Sequence, residues 1–226
     1  MRVAGVDIAR EGVDKSVLYG REDMKFLVMD KWSKADSLES AGRVIQHHNR
    51  YRFDAIIIDC DGGYGAGVLD ILRDKGLPVI PFHGNARCER KDSTGLLGFR
   101  NMRSYAYWNL RDCLDPRNET EITLPRDDEL IGQLCTPRWF NRVGLIQLEA
   151  KDEIKKRTGK SPDCADAMAY CYCDLEASVY EDSYVPWSRK EIERDINPKP
   201  KVTTEQEWID KQLWGQAHRN HDIMSW

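Results

Sequence analysis

Three short stretches of this chain place carboxylates at the ends of apolar segments, where an acid is costly unless a cation compensates it. The first is Asp7, within Gly5-Val6-Asp7-Ile8-Ala9 and followed by Gly12, Asp14 and Ser16. The second is Asp59, which closes Ala55-Ile56-Ile57-Ile58, with Asp61 two residues on and Gly62, Gly63, Gly65 and Gly67 behind it. The third is Ser161-Pro162-Asp163-Cys164-Ala165-Asp166-Ala167, where Asp163 and Asp166 share one face of a starting helix. Singly, each has an ordinary reading: a solvent-facing strand end, a glycine-rich turn, dipole-favoured acids at a helix N-terminus. Together they suit hard divalent ions such as Mg²⁺ or Mn²⁺, which take carboxylate oxygens and keep water for substrate phosphates. Two such ions, about 4 Å apart, can activate a water and stabilise the leaving oxygen of a phosphodiester.

Competing chemistries lack their parts. The glycines after Asp59 do not fit G-x-G-x-x-G, and the full phosphate-loop pattern G-x-x-x-x-G-K-[ST] is absent. The seven cysteines form no C-x-x-C pair, and the five histidines make neither a ligand set nor a catalytic dyad. Scattered cysteines and the lack of a signal peptide suit a reduced, intracellular protein.

The elements that must position the acids follow from the hydrophobic pattern. Strands are expected at Val3–Ile8, Ser16–Tyr19 and Phe26–Trp32, the last two joined by the polar turn at residues 20–23. Leu38, Ala41, Val44 and Ile45 recur at helical spacing in Ser37–Tyr51. Ala55–Asp59 reads as a strand buried on both faces, followed by a helix over Gly67–Lys75 and a strand at Pro78–Phe82. Residues 84–100 read as a loop. Helices are expected at Met102–Leu114 and Asp127–Cys135, a strand at Val143–Leu148, and a final helix to about Ala177 capped by Ser161 with Pro162 at its first position. A three-strand meander followed by alternating helices and strands predicts an α/β fold with a mixed five-stranded sheet flanked by helices. Residues 1–180 would form this domain. Residues 181–226, interrupted by Pro186, Pro198 and Pro200 and helical only near 204–214, read as an extension.

The 226 residues carry 34 Lys and Arg against 38 Asp and Glu, a net charge of −4. No apolar run approaches the roughly 18 residues of a membrane span, and the core-forming segments exclude a wholly disordered chain. Mild acidity argues against a surface that grips nucleic acid everywhere, and leaves a local basic groove open.

Five ordered blocks carry a family resemblance: GVDIAREGVDKS (5–16), AIIIDCDGGYGAGVLDIL (55–72), FRNMRSYAYWNLRD (99–112), LPRDDELIGQL (124–134) and LIQLEAKDEIKKRTGKSPDCADAMAY (145–170). In these the chain resembles the nuclease domain of the large terminase subunit of tailed bacteriophages, whose fold is RNase H-like. The resemblance implies a metal-dependent endonuclease that cuts concatemeric viral DNA during packaging, with two Mg²⁺ or Mn²⁺ ions. It implies that Asp7, Asp59, and Asp163 with Asp166 bind the metals. Asp61 competes with Asp59 for that role, and either or both late acids could ligate directly. Double-stranded DNA, the portal, the small terminase subunit and an ATPase motor are the implied partners, in the host bacterial cytoplasm. A large terminase carries its motor N-terminal to the nuclease, and no such segment precedes Asp7, so the chain is expected to be an excised nuclease domain, the alternative being a motor on a separate polypeptide. Another RNase H-like enzyme, such as a junction resolvase or transposase, and a non-catalytic module docking on portal or DNA are the alternatives.

The basic residues flank the acids in sequence. Residues 84–111 contain Arg87, Arg90, Lys91, Arg100, Arg103 and Arg111 against two acids, and residues 151–160 contain Lys151, Lys155, Lys156, Arg157 and Lys160 against two. Contacts from such clusters to phosphates are sequence-independent and salt-sensitive. Lys151 is placed to help hold the scissile phosphate. The interleaved Phe99, Tyr105, Tyr107 and Trp108 follow a helical spacing that assigns them to the core. Trp187, Trp208, Trp214 and Trp226 lie in polar surroundings, either as partner anchors or folded back on the domain.

Overall fold

The structure, a computed structural model, describes residues 1–9 and 14–173. Gly12, the four tail tryptophans and the expected 181–226 extension with its short helix lie outside the described residues.

Three antiparallel strands open the fold: β1 (Arg2–Asp7), β2 (Ser16–Glu22) and β3 (Lys25–Trp32). Helix α1 (Ser37–Tyr51) begins at a capping box, in which Asp36 accepts from the Glu39 amide and the Glu39 carboxylate accepts from the Asp36 amide. It leads to β4 (Ala55–Asp59), α2 (Tyr64–Asp74) and β5 (Val79–Phe82). The strand order is β3-β2-β1-β4-β5, antiparallel through β1 and parallel from β1 to β5. This is the expected mixed five-stranded sheet.

Side-chain alternation divides the sheet into two apolar faces. Ala4, Val6, Leu18, Ile56 and Ile58 pack with Ala41 and Val44 of α1 and with Val68, Leu69 and Leu72 of α2. Val3, Val17, Tyr19 and Ile57 face the other way, onto α3 (Met102–Leu114), α4 (Asp128–Leu134) and α6 (Asp163–Cys171). Phe99, Tyr105 and Tyr107 are buried in this second layer, Phe99 from outside α3, while Trp108 is only partly buried against it. Gly5 lies directly beneath α6: an added Cβ would meet the Ala167 carbonyl oxygen and the Cys171 amide.

Five local differences separate these elements from the expected ones. Helix α2 starts three residues early, because Gly65 lets its first turn pass the end of β4 where a Cβ would strike the Asp59 carbonyl. The loop after β5 contains a short strand, β6 (Gly98–Phe99). The single strand expected at 143–148 is instead a hairpin of β7 (Trp139–Arg142) and β8 (Leu145–Leu148), turning on Val143 and Gly144, both with positive φ. All four β7 residues are exposed, so no hydrophobic alternation marks that strand. The basic stretch Lys151–Thr158 forms α5, which ends at Gly159 in the left-handed region. Last, Pro162 rather than Ser161 stands at the N-cap of α6, and Gln133 Oε1 accepts from the Cys164 and Ala165 amides at 2.8 and 3.2 Å.

Candidate active site

Asp7 and Asp59 end adjacent parallel strands. Val6 pairs with Ile58, so the two acids sit side by side at the carboxyl edge of the sheet. Asp7 has the parity of Val3 and Gly5, and Asp59 that of Ile57, which turns both toward the α6 layer. The first turn of α6 supplies Asp163 and Asp166, and the first residue of α5 supplies Lys151. Lys151 Nζ lies 2.8 Å from Asp7 Oδ2, 3.2 Å from Asp166 Oδ2 and 3.5 Å from Asp163 Oδ1. Asp7, Asp59, Asp61, Asp163, Lys151 and Tyr170 line one cleft of about 630 Å³.

The four acids differ in what holds them. Asp166 is fully buried, and its Oδ1 accepts from Arg103 Nε and Nη2 at 3.2 and 3.0 Å and from the Tyr107 hydroxyl at 2.7 Å. Burial opposes its ionisation, but Arg103 and Lys151 outweigh it and hold its carboxyl below the ordinary value. Asp163 keeps a lighter set, the Lys15 amide at 3.2 Å and the Lys151 ammonium. Asp59 accepts from the Asp61 amide and from the Tyr170 hydroxyl, both at 2.9 Å, while burial raises its carboxyl. Asp61 accepts from the Asn85 amide at 2.9 Å, and its other oxygen is 3.7 Å from His83 Nδ1.

Asp7 shows what the cluster demands. Burial first, then the charges of Asp166, Asp163 and Asp59, push its carboxyl up to about 8 in spite of Lys151. Burial disfavours the Lys151 ammonium too, yet Asp7, Asp166 and Asp163 hold it charged well above the ordinary lysine range. One lysine does not neutralise this many carboxylates. A donor set made only of carboxylate oxygens around an excess of negative charge fits a hard divalent cation. Among the described residues no three acidic, His or Cys groups already stand in ligating geometry, and the Lys151 ammonium lies among the acids.

The basic residues expected to meet phosphates separate into surface and interior. Arg100 is exposed on the cleft wall, Lys91 and Lys156 are exposed, and Arg87 is exposed with Glu89 at 3.7 Å. Lys155 pairs with Asp14. Arg90 donates to the Tyr105 hydroxyl at 3.1 Å and lies over its ring. Arg103 is internal: besides Asp166 it donates to the Glu149 carbonyl at 2.8 Å, so its guanidinium anchors α3 to α6 and to the start of α5. Sequence reasoning passed over Tyr170 and Gln133. Tyr170 had a signal, since it stands four residues after Asp166 and seven after Asp163, on one helical face. Gln133 had none, because its partners lie thirty-odd residues away.

No family model matches the chain, and no curated protein matches it by sequence. Solved structures do match, and they define the class by fold, which is RNase H-like. The particular likeness is to nuclease domains of phage large terminase subunits. That of gp2 from bacterial virus Sf6 is 23% identical, with a TM-score of 0.64 over 77% of this chain and 89% of that one. A mutant of the same domain, with manganese and β-thujaplicinol, superposes with a TM-score of 0.65 at 23% identity over 77% and 89%. The large terminase nuclease from thermophilic phage G20c, with bound magnesium, is 16% identical, with a TM-score of 0.56 over 78% and 82%.

Proposed function

We propose that the chain is a metal-dependent endonuclease that hydrolyses double-stranded viral DNA during genome packaging. The observation that carries this reading is the gathering of Asp7, Asp59, Asp163 and Lys151 in one cleft at the carboxyl edge of an RNase H-like sheet. Solved terminase nucleases of the same fold contain magnesium or manganese, which supports divalent cations as the cofactor.

Asp7, Asp59 and Asp163 would hold the cations, with Asp61 on the cleft wall and Asp166 behind. Two bound divalent ions supply a water acidic enough to attack and positive charge at the leaving 3′ oxygen. The chain's own residues do the rest. Asp7 lies between the strand acid Asp59 and the helix acids, the position of a shared ligand. Tyr170 and the Asp61 amide fix the Asp59 carboxylate. Arg103 and Tyr107 fix Asp166, and through it the first turn of α6. Lys151 is an ammonium donor beside the acids, suited to the scissile phosphate. Arg87, Arg90, Lys91, Arg100, Lys155 and Lys156 contribute sequence-independent phosphate attraction. The portal, the small subunit and an ATPase motor are the packaging partners this role entails, in the host cytoplasm.

Incubation of supercoiled plasmid with Mg²⁺ or Mn²⁺ tests the proposal. Nicking and linearisation are expected, abolished by EDTA and by Asp7→Ala. Undiminished cutting by Asp7→Ala would overturn the site. A preference for branched over linear duplex would point to a resolvase. Calorimetry showing no Mn²⁺ uptake would reduce the chain to a docking module.

A further inference from the structure

Ser161 joins α5 to α6 and is only 5% exposed, yet its Oγ has no hydrogen-bond partner among the described residues. Buried hydroxyls are normally paired. The capping role its residue type suggests has gone to Gln133. Ser161 stands in the wall of the catalytic cleft and of two neighbouring cavities of about 260 and 480 Å³. Lys15 and Lys160 line both smaller cavities. Lys160 is exposed and makes no ion pair among the described residues. The acids on the same walls are largely matched: Asp14 by Lys155, and Glu129 by Lys15 and Lys31. Asp128 is exposed at the rim. Gly159-Lys160-Ser161, with Gly159 at a φ of 77°, also has the residue types that close a phosphate loop, although Ile154 replaces the upstream glycine.

We infer that this turn is a subsite for a backbone phosphate of the bound DNA, next to the phosphate held in the catalytic cleft. Ser161 Oγ donates to the phosphate oxygen, and the Lys160 ammonium supplies the counter-charge while Lys15 stays on Glu129. The class of ligand follows from the groups: a hydroxyl without an acceptor and a lysine without an anion line one cavity with Asp163, and Ser161 also lines the adjoining cleft. The inference rests on the proposed DNA substrate and adds a second contact that fixes which stretch of backbone enters the cleft.

The test is fluorescence anisotropy of a labelled duplex oligonucleotide in EDTA across a salt series. Lys160→Ala is expected to lower the magnitude of the log–log salt slope by about 0.9, the value of one lost phosphate contact. Ser161→Ala is expected to weaken binding roughly tenfold, and Ser161→Thr, which keeps the hydroxyl, to restore it. The double variant should lose less than the product of the single losses, since both groups address one phosphate. Ser161→Ala removes an unpaired buried hydroxyl, so its melting temperature should equal or exceed that of the parent, which separates lost binding from lost folding. An unchanged slope for Lys160→Ala, or unchanged affinity for Ser161→Ala, overturns the subsite and leaves the nuclease reading standing. A parent protein that binds no duplex overturns both.

Discussion

The ammonium of Lys151 lies 2.8 Å from Asp7 Oδ2, joining the first residue of α5 to the last residue of β1 across 144 positions of chain. It also reaches Asp163 and Asp166, so one cation holds acids from a strand and a helix together. Lys151→Ala should leave those carboxylates uncompensated and cost about 3 kcal/mol of stability at neutral pH in EDTA, in line with breaking a buried ion pair. Mn²⁺ should restore more stability to the variant than to the parent. Urea unfolding with and without the ion measures both quantities. Equal effects of Mn²⁺ on the two proteins would show that Lys151 and the cation do not answer the same charge.

The position of Asp7 has a pH signature. Its carboxyl is raised from 3.8 to about 8, chiefly by burial and then by the neighbouring acids. Between those values the native state keeps a proton that the unfolded chain releases, so this group makes stability fall as pH rises. Asp7→Asn should therefore melt higher than the parent near pH 8, and the advantage should vanish below pH 4. Binding of a divalent ion should release a proton and tighten with rising pH over the same window. Melting curves in EDTA and calorimetry in buffers of different ionisation enthalpy check these two outcomes.

Asp163 and Asp166 are three residues apart and do different work. Asp166 is the counter-ion of buried Arg103, so Asp166→Ala should cost about 3–5 kcal/mol by stranding that guanidinium. Asp163 opens on the cleft, and Asp163→Ala should abolish plasmid cleavage with little change in the urea midpoint. An Asp163 variant that unfolds, paired with an Asp166 variant that keeps both stability and activity, would reverse the assignment.

Gly5 sets the distance between β1 and α6. A Cβ there would lie 2.1 Å from the Ala167 carbonyl oxygen and 2.6 Å from the Cys171 amide, both backbone atoms. Gly5→Ala should lift α6 from the sheet, lower stability by about 3 kcal/mol, and impair cleavage even where the variant remains folded, because Asp163 moves with the helix. Thermal melting followed by cleavage assays below the midpoint tests the two effects separately.

Much of the frame was legible because its signals are local. The apolar run 55–59 and the helical spacing of 37–51 and 102–114 coincide with β4, α1 and α3. The acids at 7, 59, 163 and 166 stood out because each interrupts an apolar element. Where local signals were weak or misleading, the reading slipped. Strand β7 exposes all its side chains, α2 begins early on a glycine whose need is set by a distant carbonyl, and Ser161 carries a capping residue's chemistry without the cap.

By itself the amino-acid order determined which residues are acidic and which elements end on them. Only the tertiary structure decided what each charge meets. Lys151 became the cation among the acids and Arg103 an internal anchor rather than a surface contact. Both are bases in basic clusters when read along the chain. Partnership depends on distances across strand register and helix packing, which link residues more than sixty positions apart and leave no periodic trace in sequence.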